Sequence, residues 1–122
     1  KGYSETIRVR SIVGRFLEHS RIYYFHHGGT PRFYIGSADW MRRNLDDRVE
    51  VLVPIENPAL QQQLLRILQW ALEDAYTAWE LQADGHYLRR SPPPGTQPLG
   101  FQERLMQWVC PHLLERAKPP LE

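Results

Sequence analysis

Apolar and polar residues change period several times along the chain, and each change predicts an element. Ile7 and Val9 alternate with Arg8 and Arg10, which reads as a short strand with one basic face. Ile12, Val13, Phe16 and Leu17 then share a helical face, so a brief helix capped by Ser11 is expected there, weakened by Gly14. Two runs rich in aromatic and β-branched residues follow, Ile22 to Phe25 and Arg32 to Ile35, with His26-His27-Gly28-Gly29-Thr30-Pro31 between them as a turn by composition. They predict a hairpin over about 21–36. Paired symmetrically about Gly28, its arms would set His19 directly opposite Ser37.

Asp39 to Leu45 reads as a polar loop with a turn of helix, and Arg48 to Val53 as a strand apolar on both faces, which usually means a central one. Asn57-Pro58 opens a helix, because Asn caps and Pro suits the first helical position. Leu60, Leu64, Ile67, Leu68, Ala71, Ala75 and Ala78 recur at three- and four-residue spacing, predicting one long helix over 58–82 that Ala83-Asp84-Gly85 ends. Ser91-Pro92-Pro93-Pro94-Gly95 can be neither helix nor central strand and reads as a linker. Phe101, Leu105, Trp108 and Val109 predict a last short amphipathic helix stopping before Pro111, and Lys118-Pro119-Pro120 a tail. The architecture expected is α/β: a small mixed sheet holding the hairpin and the central strand 48–53, covered by one long helix.

At 122 residues, with 42% hydrophobic and 24% charged residues, the chain has the composition of one globular domain or part of one. Its formal net charge of +1 makes no general case for nucleic acid or for a membrane surface, so any anion site must be local. A basic and aromatic face of Arg8, Arg10, Tyr23, Tyr24 and Tyr34 could suit RNA, but the near-neutral balance argues against nucleic acid. The lone Cys110 excludes an internal disulfide and suits a reducing cytosol. No apolar run reaches the roughly 18 residues of a membrane span, and the opening residues carry no signal-peptide core. These features predict a cytoplasmic protein with no integral membrane segment.

Candidate chemistry gathers at the open end of the hairpin. His19 and Arg21 precede its first strand; Gly36, Ser37 and Asp39 follow its second; Arg42 and Arg43 come next. Imidazole can accept a phosphoryl group, donate a proton to a leaving oxygen or hydrogen-bond a phosphate. Guanidinium matches phosphate oxygens as a fork, and Gly36-Ser37 admits an anion to backbone and hydroxyl. Asp39 would orient His19 or hold Arg42. The plainer reading is a solvated rim at a strand edge. His26 and His27 lack further ligands at useful spacing and predict no metal site. Trp70, Trp79 and Trp108 are expected on helices as packing residues. Walker, dinucleotide and Gly-x-Ser-x-Gly motifs are all absent.

The run Ile7-Arg-Val-Arg-Ser-Ile-Val-Gly-Arg-Phe-Leu-Glu-His-Ser-Arg-Ile-Tyr-Tyr-Phe, with Tyr34-Ile-Gly-Ser-Ala-Asp-Trp-Met-Arg-Arg-Asn-Leu and Arg48-Val-Glu-Val-Leu-Val-Pro-Ile, resembles the last domain of the long bacterial polyphosphate kinases. The resemblance covers roughly residues 2 to 90. His-x-Arg and Gly-Ser-x-Asp look like a modified phospholipase D motif, with Arg21 where lysine is usual. The resemblance implies that residues 1–90 are the C-terminal part of a phospholipase-D-like catalytic domain, leaving 91–122 as proline-rich linker and short helix. It implies a homo-oligomeric cytosolic parent enzyme that reversibly moves the terminal phosphate of ATP onto polyphosphate through a phosphohistidine. His19 matches the family's second active-site histidine, which contacts the nucleotide phosphates and is proposed as a proton donor. The phosphorylated histidine, the adenine-stacking tyrosine and the magnesium-binding residues have no matching positions here, so this piece alone would be inactive and the remaining domains would be its partners. Arg21, Ser37, Asp39 and Arg42 are assigned to nucleotide or phosphate binding by position alone. A phospholipase-D-like phosphodiesterase or nuclease, or a non-catalytic anion-binding module, are the alternatives.

Overall fold

The computed structural model describes residues 2, 5–95 and 99–110. Its order is β1 (Arg10–Ile12), β2 (Ile22–Phe25), β3 (Arg32–Gly36), α1 (Arg42–Asp47), β4 (Leu52–Ile55), α2 (Pro58–Glu73), β5 (Ala78–Leu81), β6 (Tyr87–Arg89) and α3 (Phe101–Val109). The α/β class is as expected, but the strands form two three-stranded sheets, β2-β3-β4 and β1-β5-β6, and every pairing is antiparallel. The chain divides into two compact units, Glu18–Leu68 and a second made of the residues up to Leu17 with those from Gln69 onward. The tail at Lys118-Pro119-Pro120 lies outside the described residues.

In the first unit β2 and β3 form the expected hairpin, joined by a 3-10 turn at His27–Gly29. Gly28 and Gly29 both have positive φ, 64° and 96°, a backbone region that glycine enters without steric cost. The register pairs Ile22 with Ile35 and Phe25 with Arg32. An even number of residues from His26 to Pro31 centres the turn between the two glycines, not on Gly28. Symmetry about Gly28 is therefore wrong by one residue, and the same register carried outward sets Ser20, not His19, opposite Ser37. The slip matters because it decides faces: Ile22, Tyr24, Phe33, Ile35, Val53 and Ile55 now share one side of the sheet. Phe33 is its buried residue.

The expected central strand over 48–53 is also displaced. It forms at Leu52–Ile55, pairs among the described residues with β3 alone, and leaves β3 in the centre. Pro54 explains the position, since a residue without an N–H cannot serve two neighbours and belongs on an edge strand. Val49, 98% exposed, takes no part. Asp39 to Leu45 folds much as anticipated, with α1 at its end.

α2 begins where Asn57-Pro58 predicts. The Asn57 side-chain oxygen accepts the N–H of Ala59 at 2.9 Å and of Leu60 at 3.3 Å. The helix stops at Glu73, however, well short of residue 82. Asp74 ends it: only 2% exposed, its carboxylate accepts the N–H of Tyr76 at 2.7 Å and of Thr77 at 2.8 Å, and the Thr77 hydroxyl as well. This local turn offers the backbone an alternative to another helical turn. Ala78 to Leu81, with Trp79, is consequently strand β5 rather than helix, paired to both β1 and β6. Ala83-Asp84-Gly85 turns the β5–β6 hairpin instead of capping a helix, with Gly85 at φ 89°.

The brief helix expected after Ser11 does not form. Ser11 and Ile12 lie in β1, and Val13 donates its N–H to the Thr77 carbonyl at 3.0 Å, continuing the sheet. Residues 91–95 are exposed and carry no regular structure, and α3 follows as predicted. Trp70 and Trp108 meet edge to face at 5.6 Å between ring centres. No helix among the described residues is long and apolar enough to cross a membrane.

Candidate functional site at the open end of the hairpin

The site is built where β3 leaves the hairpin. Gly36 lies so close to β4 that a Cβ there would stand 2.8 Å from the Val51 carbonyl oxygen and 2.9 Å from Leu52 Cδ1, so the residue has to be glycine for the strands to meet. Gly36 donates its N–H to the Arg21 carbonyl at 3.2 Å, and Ser37 its N–H to the Val51 carbonyl at 3.0 Å. The Ser37 hydroxyl accepts the Val51 N–H at 3.0 Å and donates to the Glu50 carboxylate. A hydroxyl has one proton to give, and here Glu50 takes it.

The following loop is held at two points. Tyr23 donates its hydroxyl to the Ala38 carbonyl at 2.7 Å, and the buried Asn44 donates from Nδ2 to the Asp39 carbonyl at 3.4 Å. The loop thereby presents Asp39 to Arg21. Arg21 Nε meets Asp39 Oδ1 at 2.6 Å, Nη2 meets Oδ2 at 2.6 Å, and Nη1 donates to the His19 carbonyl at 3.0 Å. The Arg21 hydrogen bond, aided electrostatically by Arg21 and its neighbours, outweighs desolvation and holds the Asp39 carboxyl below the usual carboxylate range. Asp39 in turn raises the Arg21 guanidinium, with the nearby Glu50 charge adding to the effect.

Three of the five residues singled out from the sequence therefore come together. His19, Arg21 and Ser37 line one cavity of about 540 Å³, whose remaining wall is mostly apolar and includes Ile22, Ile35, Val53, Leu64 and Ile67. Asp39 lies on the other side of Arg21, in a recess of about 310 Å³ that Trp40 also lines. It holds neither His19 nor Arg42, as expected from the sequence, but Arg21. Arg42 is 95% exposed on α1 and pairs with Asp46 at 3.1 Å, lining neither cavity. Tyr23, Asn44 and Glu50 build the site without belonging to any motif. Glu50, a carboxylate between Val49 and Val51, ordinarily reads as a solvated residue of a strand.

This arrangement can receive an anion at an exposed imidazole backed by a guanidinium and can give it a proton. Among the described residues no group of three or more His, Cys, Asp or Glu stands together to hold a metal ion.

A family model for polyphosphate kinase C-terminal domain 2 matches residues 1–102. The chain is 56% identical over 105 residues to a polyphosphate kinase from Thermosynechococcus vestitus, covering 86% of this chain and 14% of that one. It is 52% identical over 113 residues to a polyphosphate kinase from Pseudomonas aeruginosa, covering 93% and 16%. The crystal structure of polyphosphate kinase from Porphyromonas gingivalis superposes with a TM-score of 0.79 at 34% identity, over 87% of this chain and 16% of that one. The chain thus spans about one-seventh of the length of the relatives it matches. On the breadth of the match and on these identities, the chain belongs to the family of polyphosphate kinase C-terminal domain 2.

Proposed function

We propose that this chain forms one wall of the active site of a polyphosphate kinase, a parent enzyme that reversibly transfers the terminal phosphate of ATP to polyphosphate. The observation that carries this reading is the exposed His19 at the rim of a cavity it shares with Arg21 and Ser37, in a chain of this family. In this reading a histidine outside the chain accepts the phosphoryl group, becoming a phosphohistidine, and passes it to the terminal oxygen of polyphosphate. His19 faces that histidine, hydrogen-bonds the phosphates and donates a proton to the oxygen on which negative charge develops. Phosphoryl transfer asks the protein mainly for in-line positioning and for charge stabilisation, so a cationic wall opposite the nucleophile is what the chemistry needs.

Arg21 adds a positive field at the cavity. Ser37 can offer its hydroxyl to a phosphate oxygen only by exchanging Glu50 for it. Asp39 serves through Arg21, and Arg42 meets phosphate only from the exposed face of α1. The ATP-binding, phospholipase-D-like reading of the Gly-Ser-x-Asp and His-x-Arg pieces, the cytoplasmic setting, and the remaining domains of a homo-oligomeric parent as partners all belong to this proposal. In this reading the magnesium ligands belong to the remaining domains of the parent enzyme.

The test is His19→Ala in the complete enzyme, which should lower phosphoryl transfer by about two to four powers of ten if His19 is a general acid. Turnover close to wild type would overturn the assignment. So would hydrolysis of a phosphodiester by the chain on its own, which would make it a phosphodiesterase.

A further inference from the structure

A guanidinium carries five N–H donors in a rigid plane and can grip an oxyanion bidentately through its Nε–Nη2 side or through its Nη1–Nη2 end. In Arg21 the Nε–Nη2 side is filled by Asp39, through Nε at 2.6 Å and Nη2 at 2.6 Å. A third direction, on Nη1, is spent on the His19 carbonyl at 3.0 Å. A phosphate arriving in the cavity meets a positive field, but the side-on fork is taken and only the remaining Nη hydrogens are left to it. Arg21 is placed to hold rather than to grip.

What it holds is the backbone of the residue two positions before it, the unit from which the His19 imidazole projects. What holds Arg21 is Asp39, whose own loop is fastened by Tyr23 at Ala38 and by Asn44 at Asp39. A line of hydrogen bonds therefore runs from the loop after β3, through Asp39 and Arg21, to the peptide of His19, within the unit Glu18–Leu68.

We propose that Asp39 is a positioning residue for His19, acting through Arg21, and that Arg21 itself serves as the strut of this device before it serves as a phosphate ligand. The proposal rests on the reading of His19 as proton donor. It explains why an aspartate, which would otherwise repel a phosphate, stands beside the site: its charge is consumed in keeping the fork in plane. Lysine in place of Arg21 could not do the same, because a single ammonium cannot span both carboxylate oxygens and reach the His19 carbonyl in fixed directions. The Asp39 side chain is 43% exposed, so the pair adds little to stability and its worth has to be read in kinetics.

The experiment compares Asp39→Asn, Arg21→Lys, Arg21→Gln and the Asp39→Asn/Arg21→Lys double variant in the complete polyphosphate kinase, with His19→Ala alongside. Asp39→Asn and Arg21→Lys should each lower kcat about 10- to 100-fold, the scale of a misplaced catalytic group, while KM for ATP and for polyphosphate stays within about twofold, and Arg21→Gln, which also removes the positive field, should lower kcat as far and raise KM besides. The double variant should be no slower than the slower single one, because both break one line, and Asp39→Glu should recover part of the loss. Wild-type kcat in Asp39→Asn, multiplicative losses in the double variant, or a raised KM with kcat kept in Arg21→Lys would each overturn the proposal. An active His19→Ala enzyme would instead bring down the functional reading itself, whatever the Asp39 variants do.

Discussion

The side-chain amide of Gln102 pairs with both backbone groups of Phe16, accepting its N–H at 2.9 Å and donating to its carbonyl at 2.7 Å. Gln102 is buried on α3 and takes the place of a neighbouring strand for a segment that has none. Gly14 makes room for it: a Cβ there would lie 2.3 Å from Gln102 Oε1. Gln102→Ala strips both partners from Phe16 and should cost about 1–3 kcal/mol. Urea unfolding of the chain measures it, and a loss below half of that range would mean that water replaces the amide freely.

Gly36→Ala should be destabilising by about 1–3 kcal/mol, the usual cost of forcing extra volume into a closed contact. The methyl would meet the backbone oxygen of Val51, which cannot swing away as a side-chain tip can. Unchanged thermal stability would show that the β3–β4 ladder opens at no cost.

Asp74 joins the end of α2, the start of β5 and the first turn of α3, since its carboxylate also accepts the Phe101 N–H at 2.8 Å. Burial alone would raise its pKa. The hydrogen bonds from the Thr77 hydroxyl and N–H and from the Phe101 and Tyr76 N–H groups outweigh that and hold it below the ordinary value. A carboxyl depressed in the folded state contributes stability that is present above its unfolded pKa of about 3.9 and is lost as pH falls through the folded value. Acid titration of stability should show this loss in the wild-type chain, and Asp74→Asn should flatten it while lowering stability at neutral pH. An identical acid profile in the variant would count against the assignment.

Asn57→Ala removes the acceptor for two N–H groups at the start of α2 and should cost about 1 kcal/mol, whereas Asn57→Ser should cost only a few tenths. Equal stability of all three chains would show that water caps this helix as well as Asn57 does.

The elements legible from the sequence are those whose signals are local. The hairpin over 22–36 follows from two aromatic and β-branched runs around a Gly-Gly turn, the start of α2 from Asn57-Pro58, and α3 from four apolar residues on one face. The misreadings share a cause. Ala75, Ala78 and Trp79 continue the helical spacing of α2, but Asp74 finds partners in Tyr76, Thr77 and Phe101 that end the helix, and the last of these is distant in sequence. Asp84-Gly85 then serves a hairpin, a role the pair favours once strands flank it.

The same division runs through the site. His19, Arg21, Ser37 and Asp39 are legible in the sequence because residue type and motif carry their chemistry. Which of them pair with which is not, because pairing depends on a register that a single loop residue changes and on rotamers that neighbours choose. Sequence by itself determined the family, the hairpin and the residues that bear charge. Tertiary structure alone decided that Asp39 closes on Arg21 and that the Ser37 proton goes to Glu50, since both rest on distances between groups brought together only by the packed loop after β3, and that Arg42 stands apart, since α1 turns it to solvent.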